Sequence, residues 1–385
     1  MNNPELLARC FASLQRNVGP KVSCETIVVL NRATDAVSRI ATESRGAKIL
    51  RSPCNLGVAG GCNLGRSIAR GEFLVLLHDD AEIEPGWLEA LVAAADRQTA
   101  AGVIGSKVLN PDGSLQSAGS VLFSDGHTAP PWGHGAAPPP EAFGHGRPAD
   151  YCGTVSMLVR RDSWDAIGGL DERIYPAYYV DVDLCLATRR LGQVVLYEPG
   201  SVVRHRRGAS SSFRFRSFLA ERNRRYILDK WATELRAQEP PGHGDGPEAS
   251  AASIERAARR ATEILAAPVT TPLARPVSPV DVGATERRHL ELEVALKDAW
   301  AAELARDLEL AEGNLLQRAA DAEQRSGEIA ELSRRLTGRE TELAALHGEV
   351  EWLRSRSELL TAVQDTRWWR LRGRLEPLLR WVRRI

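Results

Sequence analysis

The chain has 385 residues, with 50 Lys+Arg against 50 Asp+Glu, so no net charge draws it towards nucleic acid. At 43% hydrophobic and 26% charged residues it can bury a sizeable core and is not a disordered chain. Its six cysteines (Cys10, Cys24, Cys54, Cys62, Cys152, Cys185) form no CxxC pair and no zinc spacing, which places reduced thiols in a cytoplasmic setting. No apolar run reaches the ~20 residues of a membrane helix, and no signal-peptide pattern opens the chain.

The first ~235 residues alternate between helical and strand patterns, as a single α/β unit does. An amphipathic helix is expected over Leu6–Leu14 and a buried strand over Thr26–Leu30, with Thr34 or Asp35 capping the next helix. Lys48–Leu50 reads as another strand, followed by a Gly/Asn turn and a helix ending near Arg70. Phe73-Leu-Val-Leu-Leu77 is a continuous apolar run of the kind found in parallel sheets, and Pro85-Gly-Trp-Leu88 opens the following helix. This spacing predicts a doubly wound, mostly parallel sheet. Residues ~125–150, rich in Pro, Gly and His, read as a long loop suited to act as a lid.

Four segments carry candidate chemistry. The run Leu76-Leu-His-Asp-Asp-Ala81 delivers His78, Asp79 and Asp80 to the carboxyl end of a strand, where open α/β sheets bind ligands. A carboxylate there can hold Mg²⁺ or Mn²⁺; it can equally cap the next turn. Asp181 and Asp183 begin a helix running to about Leu191, where one could act as a general base or both could simply complement the helix dipole. His205 ends a strand among Arg204, Arg206 and Arg207, a setting for diphosphate or metal contact, or for solvation alone. Asn55-Leu-Gly-Val-Ala-Gly-Gly-Cys-Asn-Leu-Gly65 permits close backbone approach but matches neither GxGxxG nor the Walker pattern.

With Pro111-Asp-Gly113, Gly168-Gly-Leu-Asp-Glu172, Asp181-Val-Asp-Leu184 and Arg222-Asn223, these segments occur in an order that resembles glycosyltransferase family 2, nearest its rhamnosyltransferase-like branch, over roughly Asn2 to Ala237. The resemblance implies a GT-A fold and an inverting, metal-dependent transfer from a nucleotide-sugar donor. The acceptor would be a saccharide or a lipid-linked sugar in surface polysaccharide biosynthesis. It implies Asp80 as the main metal carboxylate for Mn²⁺ or Mg²⁺, His205 and His78 as further ligands, and Asp181 as the catalytic base. Asp35, Asn55, Asn63 and Asp79 are assigned to the donor pocket. The chain departs from the family at His78, where Asp or Asn is usual, at Leu30, where the base-contacting Asp is replaced, and at Val180, where Glu is usual. The family's first strand has no counterpart before Pro4, so an in-frame Val/Ile-rich run upstream of the Met1 codon is expected. A catalytically weakened module acting as a scaffold is the alternative reading of these departures.

Residues 238–284 read as a Pro/Gly/Ala-rich linker after a catalytic domain at 1–237, with one short helix at Ile254–Leu265. Over 285–365 a heptad with Val294 at position a is apolar at nine of ten a positions and six of ten d positions. This predicts a self-associating coiled coil, or else a long helix folding back. The tail, 366–385, interleaves Trp368, Trp369 and Trp381 with seven arginines. It suits either peripheral contact with the inner face of a membrane or packing against the rest of the chain.

Overall fold

The structure is a computed structural model that describes all residues except 1–2, 45, 133–136, 207–211, 241–246, 267–281, 321–325 and 365–385. It divides into two compact units, Met1–Val280 and Asp281–Ile385.

The first unit begins with α1 (Pro4–Asn17), β1 (Thr26–Asn31), α2 (Asp35–Glu43), β2 (Ala47–Ser52), α3 (Gly57–Arg66), β3 (Phe73–Leu77), β4 (Ala81–Ile83) and α4 (Trp87–Arg97). It continues with β5 (Ala101–Leu109), β6 (Leu115–Ser117), β7 (Val121–Leu122), β8 (Thr128–Ala129), β9 (Arg147–Pro148) and β10 (Ser156–Arg160). Then come α5 (Arg161–Ile167), α6 (Val180–Arg190), β11 (Val194–His205), α7 (Phe213–Lys230), α8 (Ala232–Arg236) and α9 (Pro247–Ala266). Local chemistry explains the starts: Asn3 Oδ1 accepts from Leu6 N at 3.1 Å before Pro4, and Thr34 caps α2 through Val37 N at 3.5 Å.

The expected α/β class holds, but strand direction is mixed. The main sheet runs β3-β10-β5-β11-β4, with β5 and β11 parallel and β10 antiparallel to both its neighbours. β10 arrives from the excursion after β5 rather than through a helical crossover, so nothing obliges it to run parallel. β1 and β2 pair in parallel as a separate two-stranded sheet, and β3 is the edge of the main one. Successive residues of β5 and β10 serve opposite cores. Val103, Met157 and Val159 face a cluster with Trp164, Leu184 and Trp231, whereas Ile104 and Leu158 face one with Trp87 and Leu91. Both faces of the sheet are therefore covered, which is why its strands are apolar throughout.

Two expectations about organisation change. Residues 238–284 are not merely a linker: α9 spans Pro247–Ala266, buries Ala257 and Ala261, and sends Arg256 and Arg260 to the fully buried Asp150 at 2.8 and 3.0 Å. The first unit thus extends past residue 237. In the second unit, α10 (Val282–Ala320) and α11 (Ser326–Gln364) are separated by only residues 321–325 and pack on each other. Lys297 pairs with Glu349 and Arg354 with Asp298, both at 2.8 Å. The heptad positions Ala301, Leu304, Leu346, Val350 and Leu353 are buried, so the repeat serves a helix pair within one chain. The tail from 366 lies outside the described residues.

Candidate active site

The carboxyl end of β3, the start of β4 and the end of β11 meet at one point, because β4 pairs antiparallel with β11 and sets His205 opposite Ala81. There His78, Asp80 and His205 bring one ligand atom each within 4.8 Å of one another. Asp80 and His205 are buried, and His78 is half-buried. Asp80 Oδ1 stands 3.3 Å from His205 Nε2 and 3.8 Å from His78 Nδ1, yet it is buried and makes no hydrogen bond of good geometry.

The neighbours of His205 define its protonation. Gln116 Nε2 donates to Asn110 Oδ1 at 2.7 Å and to the His205 carbonyl at 2.9 Å, so the amide oxygen is its remaining end. That oxygen lies 2.7 Å from His205 Nδ1, which therefore carries the proton and donates. Nε2 is left facing Asp80 Oδ1 at 3.3 Å, and with Nε2 unprotonated the two acceptors form a buried seat for a cation. The donor set, one carboxylate and two imidazoles, suits Mn²⁺ better than Mg²⁺. Burial holds the His78 imidazole below its usual range despite Asp80, which favours the neutral, ligating form. Burial pushes the Asp80 carboxyl up, but with a proton on the facing His205 and His78 rings their charge and hydrogen bonding outweigh burial and hold it below its usual range.

Asp181 lies at the start of α6, half-buried, where burial pushes its carboxyl up to about 6 although the backbone amides of Val182 and Thr154 oppose the shift. Thr154 links the two centres: its hydroxyl is 3.3 Å from His78 Nε2 and its backbone supports Asp181. The loop leading to Asp181 is strained, with Tyr178 and Tyr179 at φ 69° and 67°. Asn223 on α7 holds it by donating to the carbonyls of Ala177 and Tyr178 at 2.8 and 3.2 Å. Arg222 donates to the Tyr175 carbonyl at 3.1 Å, and Tyr179 to that of Gly126 at 3.0 Å.

The residues assigned to the donor pocket separate. Asp79 is half-buried in the turn beside Asp80, and Asp35 is exposed at the first turn of α2. Asn55 Oδ1 accepts from Gly57 N at 3.0 Å and shapes the start of α3. Gly57 sits at φ 64°, where a Cβ would come within 2.8 Å of the Pro176 carbonyl, so only glycine fits. Asn63 is engaged elsewhere. Its amide donates to the Leu170 carbonyl and Glu172 and accepts from Leu170 N, all at 2.9 Å, which ties α3 to the Gly168–Glu172 loop. Leu30, at the position of the family's base-contacting Asp, is buried against Leu7, Phe11, Val37 and Ala41. Gln116 and Thr154 carry no signal in the sequence beyond the Pro111-Asp-Gly113 turn that precedes Gln116, whereas Asn223 stands in the Arg222-Asn223 pair, to which the sequence gives no role.

Residues 1–160 match the family model described as "Glycosyl transferase family 2". Over these residues the chain is similar to glycosyltransferase family 2. The match includes His78 and Asp80 and stops before Asp181 and His205. The O-antigen biosynthesis protein RfbC of Myxococcus xanthus is 33% identical over 147 residues, 37% of this chain and 11% of that protein. The uncharacterized protein y4gI of Sinorhizobium fredii is 30% identical over 236 residues, 54% of this chain and 24% of that protein. The N-acetylglucosaminyl-diphospho-decaprenol L-rhamnosyltransferase of Mycobacterium tuberculosis is 27% identical over 231 residues, 53% of this chain and 73% of that protein. The chain thus spans a quarter or less of the first two relatives. A mannosyltransferase of Pyrobaculum calidifontis solved with GDP-Man and Mn²⁺ superposes with TM-score 0.43 and 16% identity, over 91% of this chain and 84% of that one. Among the described residues no helix is long and apolar enough to cross a membrane.

Proposed function

We propose that this chain transfers a sugar from a nucleotide-sugar donor to a saccharide or lipid-linked acceptor in surface polysaccharide biosynthesis, with inversion at the anomeric carbon. The observation that carries the reading is the cluster of Asp80, His205 and His78 at the end of the sheet, joined to Asp181 through Thr154. Asp80, His205 and His78 would hold Mn²⁺ or Mg²⁺. When bound, the cation supplies charge neutralisation for a departing nucleoside diphosphate. Asp181 takes the proton from the acceptor hydroxyl. Its carboxyl, raised to about 6, is ionised at neutral pH and more basic than a free one. The Thr154 backbone and the Asn223-held loop fix that carboxylate in place. Asp35, Asn55 and Asp79 complete the proposed donor side, while Asn63 positions α3. The rhamnosyltransferase and O-antigen relatives favour a rhamnosyl-type transfer onto a lipid diphosphate acceptor.

Incubating the full chain with dTDP- and UDP-sugars, Mn²⁺ and a lipid-diphosphate sugar acceptor tests this reading. Release of nucleoside diphosphate with a product of inverted anomeric configuration supports it, and a product of retained configuration contradicts it. The helix pair as a site of self-association and residues 366–385 as a peripheral membrane contact belong to the same proposal.

A further inference from the structure

The excursion that begins after β7 is closed at its neck by three groups. Leu122, the last residue of β7, donates its N–H to Asp150 Oδ2 at 2.9 Å. Arg256 of α9 reaches the same two residues from outside: its Nη2 donates to Asp150 Oδ2 at 2.8 Å and to the Leu122 carbonyl at 3.3 Å. Arg189 and Arg260 also hold Asp150, at 3.3 and 3.0 Å, but neither is bonded to Leu122 among the described residues. Arg256 and Asp150 are buried, where breaking a hydrogen-bonded ion pair is costly.

Two arms leave this neck, and both end at Asp181. Four residues on from Leu122, the Gly126 carbonyl accepts from the Tyr179 hydroxyl at 3.0 Å, and Tyr179 stands two residues before Asp181. Four residues on from Asp150, the Thr154 backbone amide supports the Asp181 carboxylate, and the Thr154 hydroxyl is 3.3 Å from His78 Nε2. Each arm spans at most about 14 Å of extended chain, so a shift at the neck has little slack in which to be absorbed. The base-bearing loop needs such support: Tyr178 and Tyr179 hold φ 69° and 67°, and strained residues persist only where their surroundings over-determine them.

We infer that Arg256 is a positioning residue for Asp181: it staples the neck from which both arms reach the base, so a helix far beyond residues 1–160 sets the geometry of the site. The inference rests on Asp181 acting as the base in the proposed transfer. Arg256 touches neither the acceptor nor the metal cluster in this reading; it acts through Leu122 and Asp150 alone.

The test compares the full native chain with Arg256→Met, which removes the donors, and with Arg260→Met, which removes one contact to Asp150 and leaves the neck closed. Transfer is followed by release of nucleoside diphosphate, and Asp181 by carbon-13 NMR of its carboxyl. Burial raises that carboxyl and the Thr154 amide holds it partly down, so in Arg256→Met, where the amide draws back, it should titrate about 0.5 pH unit higher. In the same variant kcat should fall about tenfold while nucleotide affinity with Mn²⁺ stays within about twofold. Arg260→Met should move each of these by less than about twofold or 0.2 pH unit. Tyr179→Phe cuts the far end of one arm. Its loss of kcat should therefore combine with that of Arg256→Met less than multiplicatively in the double variant, a coupling that loss of stability alone does not produce. Where Arg256→Met does not fold, Arg256→Lys keeps the charge and should show a smaller shift in the same direction. The inference is overturned if the Asp181 carboxyl titrates at its native midpoint in Arg256→Met, if Arg260→Met moves it equally, or if an active chain keeps its kcat. A native chain that transfers no sugar overturns the proposed function instead, and the carboxyl titration then decides by itself whether Arg256 positions Asp181.

Discussion

Gln116 accepts a hydrogen bond from His205 Nδ1 at 2.7 Å and donates one to the same residue's carbonyl at 2.9 Å, so a residue of β6 orients a histidine 89 positions away. The Pro111-Asp-Gly113 turn makes this possible: Ser114 N donates to Asp112 Oδ1 at 2.9 Å, Gly113 takes φ 88°, and Asn110 holds the amide of Gln116. Replacing Gln116 by Leu removes both contacts while keeping a similar volume. Mn²⁺ affinity, read by electron paramagnetic resonance on the full chain, should fall by roughly 10–100-fold. An unchanged affinity would show that His205 needs no such partner.

Asp181→Asn should lower transfer by about 10²–10⁴-fold and leave donor affinity intact, because the base acts on the acceptor proton only. In the native protein kcat/KM should rise with pH through about 6. The same shift predicts a stability signature. The folded-state value of this acid is raised, so below ~4 both states hold the proton and Asp181 contributes nothing. Stability is lost as pH rises from ~4 to about 6, and the penalty is constant above. Asp181→Asn should therefore match native stability at pH 3 and exceed it at pH 8 by up to about 3 kcal/mol. Denaturant titration at the two pH values decides this.

Asp150 is in contact with three arginines, Arg189, Arg256 and Arg260, of which Arg256 also stands 3.8 Å from Glu239. Asp150→Ala leaves buried guanidinium groups uncompensated and should destabilise the first unit by about 3–5 kcal/mol. Arg256→Ala should also release α9, detectable as faster amide exchange over 247–266 than over α6. Equal protection in the variant and the native chain would mean that α9 is held by Ala257 and Ala261 alone.

The positive φ at Gly169, 86°, and the 2.6 Å that would separate its Cβ from Asn63 Oδ1 make Gly169→Ala a test of the Asn63 assignment. The substitution should cost more than about 1 kcal/mol and lower the melting temperature by several degrees, with donor affinity little changed. A loss of donor binding at unchanged stability would return Asn63 to the pocket.

Much of this was legible from pattern. Phe73–Leu77 is legible as a strand because a five-residue apolar run suits a sheet covered on both faces, and His78, Asp80 and His205 follow from strands ending at one edge. What pattern could not show was long-range pairing. Asn63 looks like a loop-facing amide, but its partners, Leu170 and Glu172, come from a segment over a hundred residues later. Heptad spacing reports an apolar stripe and is silent on whether its partner is another chain or α11. The Ala-rich composition of 247–266 hides a docking helix because small residues, here Ala257 and Ala261, permit close packing without an apolar signature.

The most direct test of the account is calorimetry of dTDP and UDP binding to the full chain, with and without Mn²⁺, in the native protein and in Asp80→Ala and Asp181→Asn. The account predicts that one of the nucleotides binds only with Mn²⁺, that Asp80→Ala loses this binding, and that Asp181→Asn keeps it. Binding that is indifferent to Mn²⁺, or equally strong in Asp80→Ala, would contradict it.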